Sequence, residues 1–482
     1  MVSAPGGAGT PAVVIAAPAS GSGKTTVATG LIGALAAAGH RVAPFKVGPD
    51  FIDPGYHAVA ANRPGRNLDP NLVGAERVPA LFAAGCADAD IAVVEGVMGL
   101  FDGRITDEPE GPDEIAHGST AHVAALLGAP VVVVVDAAGH GQTLAAILHG
   151  LRGFDPRVDI CGVVLNRVGS ARHEQVLRAA CDHVGLPVLA VLRRAPELAV
   201  PSRHLGLIPA VEHGHAARLA VEAMAGLLTA SADLPAIVAA ARSRRMPDAA
   251  PWSAADEIAD ARARSGIVAP ERPITVAVAG GAAFTFGYAE HAELLAAAGA
   301  EVCTVDPLRD TDLPVGTSAL VVGGGFPEEH VHELAANHGL LDAVRAHARA
   351  GRPIAAECAG LLYLARDLDG HRMADVVEVS GHFGPSLTLG YRDAVAPTDS
   401  VLHAAGDRVT GHEFHRSTVT AIGDVGPAWR WRRGDVAVAD GVVSGSVHAS
   451  YLHTHPAGVP GSIARLVAHA AAVVDAPTTI AR

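Results

Sequence analysis

The chain of 482 residues is too long for one hydrophobic core, so at least two domains are expected. Apolar residues make up 49% and charged residues 18%, a composition that argues against disorder and favours buried strands. The net charge of −14 comes without a Lys/Arg cluster, which argues against a nucleic-acid partner.

The amino terminus, MVSAPGGAGTP, has neither a basic segment nor a long apolar run. It therefore predicts a short tail over residues 1–10 and no signal peptide. No stretch approaches the length that spans a bilayer, so we expect no membrane partner. The five cysteines show neither disulfide-framework nor zinc-finger spacing, which favours a reducing cytoplasm.

A phosphate-binding loop is predicted directly after the first strand. The segment VVIAAPASGSGKTTVATGLIGAL joins an apolar strand to a helix through a Gly/Ser turn, although Pro18 stands where the full loop pattern has glycine. Backbone N–H groups and a lysine in such a turn bind phosphates, so ATP is the expected ligand. The residues expected at the nucleotide are Ser20, Gly21, Ser22, Gly23, Lys24, Thr25 and Thr26.

Apolar strands alternate with amphipathic helices through residues 11–230, which predicts a doubly wound parallel α/β domain. The predicted strands are Val13–Ala17, Val42–Val47, Ile91–Val94, Val131–Asp136, Ile160–Asn166 and Pro187–Val191.

Polar residues follow three of these strands, at the edge where open α/β sheets bind ligands. Asp50 and Glu95 could complete a Mg²⁺ site with the hydroxyl of Thr25, because Mg²⁺ prefers carboxylates, a loop hydroxyl and phosphate oxygens. Each carboxylate could instead be a surface or capping residue. Asn166 is predicted to contact the adenine, with a turn asparagine as the alternative.

An Ala/Arg/Pro-rich segment, residues 231–271, is predicted to connect this domain to a second α/β domain, residues 272–482. After Leu368 the pattern indicates short strands and turns. The predicted strands of the second domain are Thr275–Ala279, Glu301–Val305, Ala319–Val322 and Ile354–Glu357.

Cys358 lies where a strand runs into a helix, in GRPIAAECAGLLYLA, the pattern of a nucleophile elbow. A thiol there should be exposed, and the helix N-terminus favours its thiolate, which can attack an amide. A buried structural cysteine is the alternative.

Several segments together resemble the cobyrinate or hydrogenobyrinate a,c-diamide synthase family. They are APASGSGKTT, APFKVGPDFIDPGYH, EGVMGLFDG, LNRVGS, LPVGTSALVVGGGFPEEH, PIAAECAGLLYLA, LTLGYRDA, GHEFHRS and ASYLHTH. The resemblance implies a P-loop domain similar to dethiobiotin synthetase, followed by a flavodoxin-like class I glutaminase domain. It also implies a corrinoid substrate whose a and c acetates are activated by ATP and amidated with ammonia from L-glutamine.

The resemblance assigns roles to residues of the second domain. Cys358 would form a glutamyl thioester, and His453 matches the family's base, with His455 as the alternative. A Cys–His pair without a third carboxylate is implied. The oxyanion of the thioester step would be bound near Gly324, Gly325 and Ala359.

Four further residues are expected at the substrate. Asp53 and His57 lie in the FKVGPDFIDPGYH segment, and His412 and His415 in GHEFH. The two histidines of GHEFH could instead hold a structural metal together with His453 and His455.

Two rival functions stay open at this stage. A partitioning-type regulatory ATPase has a similar loop, but it carries a signature lysine where this chain has Ala19. Amidation of another tetrapyrrole, such as a nickel-sirohydrochlorin, is a closer rival. The sequence does not decide between a monomer and a homodimer.

Overall fold

The computed structural model describes residues 9–105, 111, 114–194, 202–203, 206–207, 214–244 and 248–475. Most of the tail predicted for residues 1–10 therefore lies outside the described part. The chain divides into two compact units, Met1–Trp252 and Ser253–Arg482. That division falls inside the segment 231–271 that was predicted as the connector.

The first unit is built on one parallel sheet of seven strands in the order β3-β2-β4-β1-β5-β6-β7. Its strands are β1 (Ala12–Ala16), β2 (Val42–Val47), β3 (Arg66–Leu68), β4 (Ile91–Glu95), β5 (Val131–Asp136), β6 (Ile160–Val168) and β7 (Val188–Arg193). The helices are α1 (Lys24–Ala37), α2 (Asp53–Ala61), α3 (Pro70–Val73), α4 (Val78–Gly85), α5 (Thr120–Leu127), α6 (Leu144–Phe154), α7 (Ala171–His183), α8 (Gly214–Ser231) and α9 (Leu234–Arg242). Two further strands, β8 (Ser202–Arg203) and β9 (Gly206–Leu207), pair antiparallel with each other.

The central strands of this sheet are buried along their length, as their apolar sequences require. The doubly wound parallel sheet predicted from the strand and helix alternation is confirmed. The short strand β3 was not predicted, because three residues are too few to produce an alternating pattern.

Helix α1 supports the loop that precedes it by packing closely against α8. A Cβ atom at Gly30 would lie 2.6 Å from the carbonyl oxygen of Met224 and 2.7 Å from Leu228 Cδ2. Both distances are too short for a side chain, so this helix pair requires glycine at position 30.

Replacing Gly30 with alanine should therefore destabilise the first unit by about 1–3 kcal/mol, because the added methyl must push α1 and α8 apart. Gly226→Ala on α8 is the matched control: nothing lies within 4 Å of its Cβ position, so helix propensity should stabilise it by up to about 1 kcal/mol. Thermal unfolding tests this, with about 2–4 °C expected per kcal/mol. Equal midpoints for the two variants would contradict the close packing.

The second unit contains a six-stranded sheet in the order β11-β10-β12-β13-β21-β20, parallel except for the β20–β21 pair. Its strands are β10 (Ile274–Ala279), β11 (Ala300–Val305), β12 (Ala319–Val322), β13 (Ile354–Glu357), β20 (Val442–Ser444) and β21 (Val447–Ser450). Its helices are α10 (Ala254–Ser265), α11 (Ala289–Ala297), α12 (Val331–Ala336), α13 (His338–Arg349), α14 (Ala359–Leu364) and α15 (Pro460–Asp475).

A further sheet in this unit is formed by the segment after α14. Its strands are β14 (Asp367–Leu368), β15 (His371–Arg372), β16 (Val379–Val395), β17 (Arg408–Ala421), β18 (Trp429–Arg433) and β19 (Val436–Asp440). The short strands and turns predicted after Leu368 are present, but β16 and β17 are long strands of 17 and 14 residues that the sequence did not indicate. A register shift between Phe383 and Thr388 interrupts their pairing, and glycines and a proline in β16 hide its strand pattern in the sequence.

Two helices, α9 and α10, lie within the predicted connector. Helix α9 packs against β1 and β7 of the first unit, whereas α10 packs against α11 and α15 of the second. No helix among the described residues is long and apolar enough to cross a bilayer.

Candidate active sites

The loop before α1 has the backbone shape of a phosphate cradle. Gly21 and Gly23 adopt φ angles of 77° and 97°, which favour glycine. A Cβ atom at Gly23 would lie 2.3 Å from Asn166 Nδ2, and that amide nitrogen donates to the carbonyl oxygen of Ser22 at 2.9 Å. Asn166, predicted to contact the adenine, therefore lies against the loop backbone itself.

The hydroxyl of Thr25 lies beside two carboxylates at the carboxyl edge of the sheet. Thr25 Oγ1 donates to Glu95 Oε1 at 2.6 Å, and it is 3.2 Å from Asp53 Oδ2. Lys46 extends from β2 into the same cluster, where its Nζ is 2.6 Å from Asp53 and 3.1 Å from Glu95. One ammonium group and one hydroxyl thus share two buried carboxylates.

The charges of this cluster shift one another's proton affinities. Burial alone lowers the pKa of Lys46, but Asp53 and Glu95 raise it above the usual range, so the ammonium stays charged. Burial, with the neighbouring Asp50 and Glu95, raises the pKa of Asp53. Burial alone raises the pKa of Glu95, but Lys46 and the other neighbours of this carboxylate together lower it by more. Glu95 is therefore the carboxylate of the two that more readily stays charged.

Asp50 and His57 lie at the margin of this cluster. Asp50 Oδ1 accepts from the backbone N–H groups of Ile52 and Asp53, and its Oδ2 is 4.0 Å from Lys46 Nζ. Asp50 therefore holds the backbone where α2 begins and is also a neighbour of the cluster. His57 is completely buried and its Nε2 lies 2.8 Å from Glu95 Oε2, so it is placed to support Glu95.

Lys24 of the loop is held close to the same edge. Its Nζ donates to the carbonyl oxygen of Met98 at 2.6 Å, and Met98 itself has a φ angle of 47°. Burial and the nearby Lys46 lower the pKa of Lys24, an effect that the surrounding carboxylates partly offset. Thr26 follows Thr25 in the first turn of α1.

Oxygen atoms at this edge fit a hard divalent cation. The hydroxyl of Thr25 and the carboxylates of Asp53 and Glu95 are ligand types that Mg²⁺ prefers. The Lys46 ammonium among them indicates that the cluster attracts positive charge. Within the described ranges, no group of three or more His, Cys, Asp or Glu side chains is placed to hold a metal by itself, so loop and phosphate oxygens would have to complete the coordination.

Cys358 of the second unit lies at a strained turn between β13 and α14. Its φ and ψ angles are 52° and −105°, the type of backbone strain found at nucleophile elbows. A Cβ atom at Gly360 would lie 2.2 Å from the carbonyl oxygen of Val322, so the turn requires glycine there. The expectation of an exposed thiol is wrong, because Cys358 is 4% exposed and its Sγ lies 3.8 Å from the carbonyl oxygen of Phe414 on β17.

His453 lies beside this cysteine. The Cys358 thiol is close enough to act electrostatically on its ring, and its Nδ1 is 3.5 Å from Glu357 Oε2. Burial alone lowers the pKa of His453, but Cys358 and Glu357 raise it to about 10. The sequence analysis expected a Cys–His pair without a carboxylate, but in the structure the Glu357 carboxylate lies beside His453.

His455 lies in a different environment. Its Nδ1 accepts from the backbone N–H of Ala457 at 3.2 Å, and its Nε2 is 3.9 Å from Glu290 Oε2. Its ring lies against Tyr288, with the ring centroids 4.1 Å apart. Of the two histidines considered as the base, the structure brings His453 to the cysteine.

The two histidines of GHEFH lie on β17, where His412 is buried and His415 is half-buried. The backbones of His412 and His453 hydrogen-bond to each other at 2.8 and 2.9 Å. His415 Nδ1 is 2.8 Å from the carbonyl oxygen of Ser417, and its ring stacks on Tyr451 at 3.8 Å. The described residues form no histidine metal cluster here, so the structural-metal alternative has no geometric support.

The glycines after β12 line the same elbow. A Cβ atom at Gly324 would lie 2.6 Å from His453 Cε1, and one at Gly325 would lie 2.1 Å from the carbonyl oxygen of Ala283. Ala359 is buried at the start of α14. Gly324 thus lies against the His453 ring and Ala359 directly follows Cys358, whereas Gly325 lies against Ala283.

Sequence reasoning missed Lys46 and Glu357. Lys46 interrupts an otherwise apolar buried strand, and a lone charge in such a strand is a signal of a buried ion pair. Glu357 directly precedes the elbow cysteine at the carboxyl end of a parallel strand. Glu357 and His453 are far apart in the sequence, so no local pattern predicts their contact.

Two protein families match separate parts of this chain. Residues 13–208 match the family of the CobQ/CobB/MinD/ParA nucleotide binding domain, and residues 275–459 match the CobB/CobQ-like glutamine amidotransferase domain. The fold and sites thus define a glutamine-hydrolysing ligase with a P-loop nucleotide-binding domain.

Full-length relatives narrow this class. The chain is 58% identical over 461 residues to the hydrogenobyrinate a,c-diamide synthase of Mycobacterium tuberculosis, covering 95% of this chain and 98% of that protein. It is 52% identical to the enzyme of that name from Streptomyces coelicolor, covering 97% and 99%. It is also 41% identical to the cobyrinate a,c-diamide synthase of Gloeobacter violaceus, covering 92% and 93%. The chain belongs to the hydrogenobyrinate and cobyrinate a,c-diamide synthase family, which sets aside the regulatory ATPase.

Proposed function

We propose that this protein uses ATP and glutamine to amidate the a and c acetate side chains of a corrinoid, hydrogenobyrinate or cobyrinate. The observation that carries the proposal is the presence in one chain of two sites: a phosphate loop with a lysine–carboxylate cluster, and a strained cysteine beside a histidine. The names of the full-length relatives support the corrinoid as the substrate class.

The first site would activate the carboxylate. A carboxylate anion resists attack by ammonia, so transfer of the ATP γ-phosphoryl group to one of its oxygens forms an acyl phosphate and ADP. Ammonia then attacks the acyl carbon, the bond to the phosphate oxygen breaks, and inorganic phosphate leaves. Phosphoryl transfer mainly needs positioning and charge neutralisation, which Lys24 and Lys46 would contribute.

The nucleotide's Mg²⁺ would be held by Thr25 and Glu95, with Asp50 or Asp53 as the second carboxylate. When bound, it would neutralise charge on the phosphates. Asp53 is the carboxylate that contacts Thr25, which favours it over Asp50. The buried His57 would hold Glu95 in place, a supporting role that replaces the predicted substrate contact.

The second site would release ammonia from glutamine. The Cys358 thiolate attacks the side-chain amide carbon, the C–N bond breaks, and ammonia leaves with a proton donated by the His453 imidazolium. Water then hydrolyses the glutamyl thioester to glutamate. Backbone N–H groups near Gly324, Gly325 and Ala359 would stabilise the oxyanion of both steps. His412 and His415 would shape this site from β17.

A panel of tetrapyrrole carboxylates tests the substrate assignment. The protein, MgATP and glutamine are incubated with hydrogenobyrinate, cobyrinate or a nickel-sirohydrochlorin, and mass spectrometry counts the amidations. Two amidations on a corrinoid are expected. Amidation of the nickel-sirohydrochlorin alone would reject the corrinoid.

His453 is expected to be the partner of Cys358, so His453→Ala should reduce glutamine hydrolysis by about 10²-fold or more. His455→Ala is the matched control, because that ring lies beside Glu290 and not beside the thiol. Glutamate release measured at saturating glutamine distinguishes the two. A larger loss in the His455 variant would move the base to that residue.

A further inference from the structure

The carboxylate of Glu357 contacts both His453 and the next residue, Thr454. Its Oε1 accepts from Thr454 Oγ1 at 3.1 Å and from the Thr454 backbone N–H at 3.3 Å. Its other oxygen, Oε2, lies 3.5 Å from His453 Nδ1. Thr454 therefore fixes one oxygen of the carboxylate while the second faces the imidazole ring.

Backbone pairing sets the spacing of these groups. Glu357 ends β13 and pairs with Ser450 of β21, and the N–H of Cys358 donates to the carbonyl oxygen of Ser450 at 2.7 Å. His453 follows three residues after Ser450. The pairing of β13 with β21 thus places the side chains of Cys358, His453 and Glu357 close together.

The His453 ring is confined on its other sides. Its Cε1 lies 2.6 Å from the Cβ position of Gly324, and the ring centroid of Phe286 is 6.2 Å away. The ring is completely buried, so few orientations are open to it. With Nδ1 toward Glu357, the remaining ring nitrogen is the one available to the thiol.

We propose that Glu357 is a positioning residue that orients His453 toward Cys358 and stabilises its imidazolium during glutamine hydrolysis. This inference rests on the proposed roles of Cys358 and His453. Glu357 would act only through His453, without contacting the amide.

The expected pH effect follows from the charges around the ring. His453 faces Cys358, Glu357 and His412, and Glu357 also faces His291. Burial lowers the pKa of both other histidines, that of His412 to about 3, so both are neutral where His453 titrates. Removing the Glu357 charge should lower the pKa of His453, because the imidazolium loses its anionic partner.

The test is the pH profile of kcat/KM for glutamine hydrolysis by the full-length protein. In Glu357→Gln the alkaline limb, where the imidazolium loses its proton, should move to lower pH by about 1–2 units. Glu357→Asp, which keeps the charge, should restore part of the shift. Glu290→Gln is the matched control, because that carboxylate lies beside His455. The alkaline limb of its pH profile should stay at the original pH.

An unchanged alkaline limb in Glu357→Gln would overturn the proposal even if the rate fell, because a merely structural role lowers the rate at every pH. Circular dichroism and an unchanged thermal midpoint show that the variant is folded. If Glu357→Gln does not fold, the same profile for Glu357→Asp decides between the two outcomes. Full glutamine hydrolysis by His453→Ala would instead reject the proposed role of His453, which is a separate result.

Discussion

Cys358→Ala should abolish glutamine-dependent amidation but regain activity with concentrated ammonium salt at alkaline pH, where free ammonia exists. The thiol is needed only to release ammonia, whereas the carboxylate is still activated by ATP. Lys24→Ala should be inactive with both nitrogen sources, because it removes the loop charge expected to neutralise the transferred phosphoryl group. Mass spectrometry of the corrinoid product measures both.

The two variants are each other's controls. Lys24→Ala should retain glutamine hydrolysis, which shows that its second domain is intact, and Cys358→Ala should retain ammonia-dependent amidation. Glutamine use by Cys358→Ala at the original rate would remove the glutaminase assignment and leave only the ATP-binding domain. Ammonia-dependent amidation by Lys24→Ala at the original rate would remove Lys24 from the phosphate site.

Asp53→Asn should reduce ammonia-dependent amidation by about 10²-fold or more, because it removes the carboxylate charge between Thr25 and Lys46. Asp50→Asn should have a smaller effect. Its amide oxygen can still accept from the backbone N–H groups at the start of α2, and Asp50 is 4.0 Å from Lys46. Initial rates at saturating ammonium and MgATP measure the difference.

Glutamine hydrolysis should be unchanged in both aspartate variants, and this checks that the loss is specific to the first site. A larger loss in Asp50→Asn would assign the second Mg²⁺ carboxylate to Asp50, as the sequence alone suggested. Near-original amidation in both variants would remove this pair from the site.

The sequence by itself determined the α/β class, most strand positions of the seven-stranded sheet and of the six-stranded sheet, and the family. Continuous apolar strands such as Val131–Asp136 must be buried on both faces, and their alternation with helices allows few other arrangements. Glycines with positive φ, such as Gly21 and Gly23, are also readable, because local backbone geometry restricts which residues fit.

The tertiary structure alone decided which charged side chains meet. Lys46 and Glu95 lie 49 positions apart, and Glu357 and His453 lie 96 apart, so no local pattern links either pair. Their contacts arise because parallel strands place their carboxyl ends at one edge of a sheet. The strand order, which single strands do not encode, sets these neighbours.

The burial of Cys358 was decided in the same way. Its elbow is a local feature of one strand and one helix, and the sequence predicted it. Its exposure depends on the 14-residue strand β17, whose Phe414 carbonyl lies over the thiol from a distant part of the chain. Local segments determine backbone shape, whereas solvent access and proton affinity depend on what the rest of the fold places beside them.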